Sequence, residues 1–134
     1  MKVSIRSLVC LCLPMALALG CTSGPPKTMV RLPSGNKILV FSEGPMYFSQ
    51  SDPALMLKYQ TALSLSDKVA LQNEADEIWT KFQPEVEKGG FHHAILSAND
   101  KPKGFVITSN SSYNFVYDQA PDGSWHLLAD QKKP

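Results

Sequence analysis

One long amphipathic segment constrains the fold of this chain more than any other feature. Between Leu71 and Val86, apolar side chains recur every three or four residues, which predicts a helix with one buried stripe. The predicted stripe consists of Leu71, Ala75, Ile78, Phe82 and Val86, and Trp79 widens it. Such a helix must bury its stripe against another element, because a single amphipathic helix has no core of its own.

Local residues mark both ends of this helix. Ser66 is positioned to cap the free N–H groups of the first turn, and Asp67 lies at the positive end of the helix dipole. Gly89 and Gly90 mark the other end. Pro84 is expected to kink the helix or to separate its last turn, because proline lacks an N–H and crowds the preceding turn.

Runs of β-forming residues, separated by turn residues, lie on both sides of the helix. The predicted strands cover 29–32, 37–41, 46–49 and 54–63 before it, and 91–98, 105–108, 113–117 and 124–128 after it. The turn residues 33–36 predict a hairpin between the first two strands, and 43–45 predict the end of the second. The order of strands, one long helix and a β-meander predicts an α+β fold, with the helix packed on one face of an antiparallel sheet.

The first residues of the chain have a different character. Lys2 and Arg6 precede an apolar run without charges from Leu8 to Leu19. As a helix this run would span roughly 18 Å, well short of the ~30 Å hydrocarbon core of a bilayer, and Pro14 interrupts it. The run is therefore typical of a signal-peptide core rather than of a membrane span.

The end of that run carries a family resemblance. The segment from Leu17 to Cys21, with Gly20 directly before the cysteine, resembles a bacterial lipobox, although Ala18 stands where the family often has leucine. The resemblance implies that a diacylglyceryl group is attached to the Cys21 thiol and that a lipoprotein signal peptidase cleaves between Gly20 and Cys21. The alternative is an ordinary secretory signal cleaved near Gly20, which would leave Cys21 as a free thiol.

These features divide the chain into three parts. Residues 1–20 are predicted to be a lipoprotein signal peptide, residues 21–27 a lipidated cysteine with a short tether, and residues 28–134 a single α+β domain. The residue after the cysteine is Thr22 and not aspartate. By resemblance to lipoproteins of Gram-negative bacteria, the absence of aspartate there implies an outer-membrane anchor with the domain on the periplasmic face. Cys10 and Cys12 leave with the signal peptide, so the mature domain cannot form a disulfide within itself.

The sequence contains few candidates for chemistry. The formal net charge of +1 argues against a nucleic-acid binder, and the common catalytic motifs are absent. His92 and His93 are adjacent on a predicted strand and should point to opposite faces, so we expect no metal site and no cofactor. The carboxylates of Glu74, Asp76 and Glu77 crowd one helical turn, which we interpret as a charged helix face directed mostly away from the buried stripe.

The predicted function follows from the anchor more than from the domain. We expect a non-enzymatic, membrane-anchored lipoprotein that binds another protein of the cell envelope. One alternative is a small periplasmic enzyme or ligand carrier with a cone-shaped pocket. That pocket would be lined by Tyr59, His93 and Trp125. Another is an inhibitor or immunity protein that makes contact through residues 43–53. The aromatic side chains at 113, 115 and 117 share one face, which we assign to the core of the sheet rather than to a binding surface.

Overall fold

The structure of the protein is a computed structural model that describes residues 27–102 and 111–128. Its elements in chain order are β1 (Thr28–Arg31), β2 (Lys37–Met46), β3 (Ala54–Gln60), α1 (Lys68–Lys88), β4 (His93–Asn99), β5 (Ser112–Gln119) and β6 (Trp125–Leu128). The described strands form one six-stranded sheet in the order β1-β2-β3-β4-β5-β6. This arrangement confirms the α+β class. The predicted signal peptide, Gly20, Cys21 and the predicted strand 105–108 lie outside the described residues.

One pair of neighbouring strands breaks the antiparallel pattern. β3 and β4 run parallel, with Ala54 opposite His93 and Gln60 opposite Asn99, while the other four pairs are antiparallel. Parallel neighbours need a long crossover connection, and α1 supplies it. The prediction of a wholly antiparallel sheet was therefore wrong at this pair.

The first two strands form the predicted hairpin. The Leu32 N–H donates to the Asn36 carbonyl at 2.8 Å, and the turn contains Gly35 with a φ of +93°, a conformation that favours glycine. β2 then continues to Met46 instead of ending at residues 43–45. Pro45 is tolerated in this extension of β2, because β1 pairs with β2 only as far as Val40. Beyond Val40, the side of β2 that faces away from β3 is an edge of the sheet.

The helix begins one residue later than predicted and is longer than its proline suggested. Asp67, not Ser66, is the N-cap, and its carboxylate accepts a hydrogen bond from the Ala70 N–H at 3.0 Å. The Ser66 hydroxyl instead bonds to the hydroxyl of Ser64. The helix continues through Pro84 to Lys88. Among the described residues, no helix is both long and apolar enough to cross a bilayer.

The predicted stripe of α1 is buried together with one set of strand residues. The shared cluster includes Leu71, Ala75, Ile78, Phe82 and Val86 of α1 and Leu57, Tyr59, Leu96, Phe115 and Tyr117 of the sheet. We call the sheet surface that carries these strand residues the core face. Trp79 stacks on Tyr117 with ring centroids 4.0 Å apart. The assignment of Phe115 and Tyr117 to the core is therefore confirmed.

Glu74 departs from its predicted place on the polar side of the helix. It is only 4% exposed, because it is spaced three residues from Leu71 and four from Ile78 and so lies on the buried stripe. Burial raises the pKa of Glu74, a hydrogen bond with the Thr61 side chain lowers it, and the nearby charge of Glu77 raises it. Its Oε1 atom has no hydrogen-bond partner among the described residues.

Candidate functional site

An apolar concave surface lies between the β1–β2 hairpin and the second half of α1. We call this cleft the hairpin groove, and its volume is about 250 Å³. Its floor is apolar and consists of Val30, Leu32, Ile38, Val40, Leu57, Ile78 and Phe82. Thr28, Glu43, Lys81 and Glu85 complete the lining.

The local structure explains why these side chains meet. The hairpin register places Val30 opposite Ile38 and Thr28 opposite Val40, and residues paired or two apart along antiparallel strands project to the same face. On the helix, Ile78, Phe82 and Glu85 are spaced by four and three residues, so they also share one side. The groove therefore arises where the exposed hairpin extends along the flank of the helix.

Two hydrogen bonds join the hairpin to the helix beside the groove. The Ser34 N–H donates to Glu77 Oε2 at 2.8 Å. Lys81 Nζ donates to the Arg31 carbonyl oxygen at 3.0 Å. Both contacts connect residues near the hairpin turn to α1, so they hold that end of the groove at a defined width.

The charged groups of the groove are not evenly distributed. Glu43 and Glu85 are both exposed, and neither carboxylate forms a hydrogen bond or an ion pair with a described residue. Lys81 lies near Arg31, and Arg31 pairs with Lys37 at the start of β2. Glu43 lies six residues after Lys37 on β2, or about 20 Å away at the usual strand rise. The ammonium group therefore lies at the turn end of the groove, and Glu43 lies toward the opposite end.

The described lining of the groove has few polar groups. Among the described residues, this polar lining consists of one hydroxyl, one ammonium and two exposed carboxylates, without histidine or cysteine. Across the described residues, no group of three or more His, Cys, Asp or Glu side chains could hold a metal ion. A volume of this size is below that of most small-molecule pockets and is comparable to the volume of one large side chain.

The structure does not bring the three predicted pocket residues together. Tyr59 is fully buried on the core face, and burial raises the pKa of its hydroxyl. His93 belongs to a different cleft, described below. Trp125 is half-buried, and its Nε1 donates to Glu87 Oε1 at 2.9 Å. These three residues do not line a common cleft in the part of the chain that the structure describes.

His93 lies in a small cleft on the opposite face of the sheet, which we call the second face. Its Nδ1 lies 2.7 Å from Asp118 Oδ1, and the cleft of about 130 Å³ also includes Phe48, Ser51 and Asp52. His92 Nδ1 instead bonds to Gln119 Oε1. Since Asp118 and Gln119 are successive residues of β5, these contacts agree with the prediction that His92 and His93 point to opposite faces.

An apolar row crosses the second face next to this cleft. Met56 lies opposite Ile95, Ile95 opposite Val116, and Val116 opposite Leu128. The next pair along β4 and β5, Ser97 and Asn114, is polar. This part of the second face is thus a narrow apolar strip with a polar pair beside it.

Sequence reasoning missed the hairpin groove. The hairpin and the helical stripe were each predicted, but the position of one against the other depends on contacts between residues more than 40 positions apart, such as Ser34 with Glu77. The useful indication was the hairpin itself, because its apolar residues Val30 and Val40 needed a partner that the strands alone could not supply.

Comparisons of the chain with protein-family models, curated proteins and solved structures return no significant match. Any functional conclusion therefore rests on the residues and the geometry given above.

Proposed function

We propose that the protein is a membrane-anchored lipoprotein whose domain binds another envelope protein through the hairpin groove. The observation that carries this proposal is the groove itself, an apolar floor beside two carboxylates that have no partner in the described residues. Interfaces are commonly built in this way, with an apolar centre that takes a side chain and a polar rim.

The proposed anchor is the lipid on Cys21, in the outer membrane with the domain on the periplasmic face. The support for it is the apolar leader and the resemblance of residues 17–21 to a lipobox. Two or three acyl chains would hold the protein firmly, whereas one chain binds a membrane only weakly. The tether would keep the domain within roughly 20 Å of the lipid, at about 3 Å for each extended residue.

We also infer the finer architecture of the domain. The burial of the α1 stripe with the core-face residues supports a helix packed on one face of the sheet. The consecutive antiparallel pairing of β4, β5 and β6 supports a closing meander after the helix. In this arrangement the hairpin extends beyond the helix and leaves the groove accessible.

Photo-crosslinking in intact cells tests the binding surface. Glu85 would be replaced by benzoylphenylalanine in one variant, and Asn114, which is exposed on the second face, in a control variant. We expect a crosslinked product of one defined mass from position 85 and none from position 114. A product from position 114 alone would assign binding to the second face, and the absence of any product from position 85 would overturn the proposal.

A second candidate function, a small hydrolytic enzyme, has one observation in its favour. The hydrogen bond between His93 and Asp118 orients the imidazole in a cleft that also contains Ser51. An oriented histidine beside a hydroxyl can activate that hydroxyl as a nucleophile. Turnover of model ester, glycoside or peptide substrates that is lost in both His93→Ala and Ser51→Ala would favour this function. Activity that survives both changes would exclude this cleft.

A further inference from the structure

We propose that the hairpin groove recognises a partner segment in which a large apolar side chain is adjacent to a lysine or an arginine. This inference rests on the proposed binding function and specifies the chemistry of the partner. It is carried by the juxtaposition of an apolar floor with Glu43 and Glu85, two exposed carboxylates without partners among the described residues.

The apolar part of the ligand follows from the floor. Val30 and Val40 are half-buried at the hairpin, and Ile78 and Phe82 are almost fully buried on the helix. A leucine or a similar side chain that enters the groove would remove the remaining apolar surface from water, which is the main driving force for such contacts. A polar side chain would lose its hydration there and find no hydrogen-bonding group on the floor.

The charged part of the ligand follows from the rim. Glu43 and Glu85 are acceptors that no described residue satisfies, and a lysine or arginine beside the apolar anchor would supply donors to them. Lys81 is not ion-paired with either carboxylate, since its Nζ donates to the Arg31 carbonyl near the hairpin turn. An anionic partner would instead meet two like charges, which disfavours it.

Binding of labelled peptides to the mature lipidated protein in detergent tests the proposal. The probes are three fluorescent hexapeptides with the sequences Gly-Ser-Leu-Lys-Gly-Ser, Gly-Ser-Leu-Glu-Gly-Ser and Gly-Ser-Gly-Lys-Gly-Ser, measured by anisotropy. We expect the leucine–lysine peptide to bind at least about tenfold more tightly than either of the others at low salt. High salt should reduce its advantage over the leucine–glutamate peptide, because exposed charges are screened.

Three variants separate the contributions. The double variant Glu43→Gln with Glu85→Gln should bind both leucine peptides equally, and Val40→Phe should bind none because it fills the floor. Asp52→Asn, an exposed acid outside the groove, should behave as the unaltered protein. If the leucine–glutamate peptide binds as tightly as the leucine–lysine peptide, the proposed chemistry is wrong.

The remaining outcomes distinguish this inference from the proposed function. If no peptide binds but position 85 still crosslinks in cells, the groove is an interface and the proposed partner chemistry is overturned. If the protein forms dimers and the Val40→Phe variant does not, the occupant is a second copy, which also overturns it. If position 85 does not crosslink and the double variant Glu43→Gln with Glu85→Gln binds the peptides as the unaltered protein does, both proposals fail together.

Discussion

Glu74 shows how one buried carboxylate can set the pH dependence of a small domain. Its pKa is raised above its ordinary value of 4.5, chiefly by burial. A group whose folded-state pKa is raised contributes stability that is fully present below the unfolded pKa. That stability is lost as the pH rises through the folded-state value. Glu74 is therefore expected to weaken the domain at neutral and alkaline pH.

Replacing this carboxyl group should remove its part of the pH dependence. Glu74→Gln is expected to raise the free energy of unfolding by about 1 kcal/mol at pH 8, and the gain should shrink as the pH falls toward 4.5. Urea unfolding followed by circular dichroism at several pH values measures this. Glu85→Gln, an exposed glutamate on the same helix, is the control. A Glu74→Gln variant that is less stable at pH 8 would contradict this account of the residue.

The helix cap is a second single-residue determinant. Asp67→Ala should cost about 1 kcal/mol, because the Ala70 N–H loses its acceptor. Ser66→Ala should be close to neutral, since the Ser66 hydroxyl bonds to Ser64 on the surface and not to the helix. Chemical denaturation of both variants measures their free energies of unfolding. A larger loss of stability for Ser66→Ala than for Asp67→Ala would favour Ser66 as the N-cap, as predicted from the sequence.

Among the elements, the helix was the most predictable. Its apolar spacing of three and four residues identified the buried stripe correctly, because that periodicity depends only on helix geometry. Periodicity could not show that β3 and β4 pair in parallel or that β2 continues to Met46. Both depend on which strands become neighbours in the folded sheet. Periodicity could not predict the hairpin groove either, because the groove depends on the packing of the hairpin against α1.

A charge placed on the stripe tests the helix as a packed element. Ile78→Asp should destabilise the domain by about 3–5 kcal/mol, because Ile78 is 4% exposed and an ionised carboxylate would lose its hydration in this apolar cluster. Asn73→Asp, at an exposed position of α1, introduces the same charge and should have little effect. Thermal unfolding compares the two, and equal melting temperatures would show that the stripe is not buried.

At the scale of the whole molecule, the proposed anchor and the groove lie close together in the chain. Thr28 lines the groove and is the first residue of β1, directly after the proposed tether of residues 21–27. A groove at the tethered end of the domain would face partners that are themselves at the membrane surface. The anchor would thereby raise the local concentration of the two proteins without any further contact.

Removal of the Cys21 thiol, the proposed site of the anchor, should change where the protein is found. Cys21→Ser should move the protein from the membrane fraction to the soluble fraction of fractionated cells, because no acyl chain can be attached. Ser23→Ala, within the same tether, should stay with the membranes. Continued membrane association of the Cys21→Ser variant would mean that another part of the chain holds it there.

The most direct test of the central claim is the intact mass of the protein extracted from membranes. The account predicts a chain that begins at Cys21 and carries a diacylglyceryl group on its sulfur, with or without a third acyl chain on its amino group. A mass equal to that of a chain with an unmodified Cys21, or with the leader still attached, would contradict it.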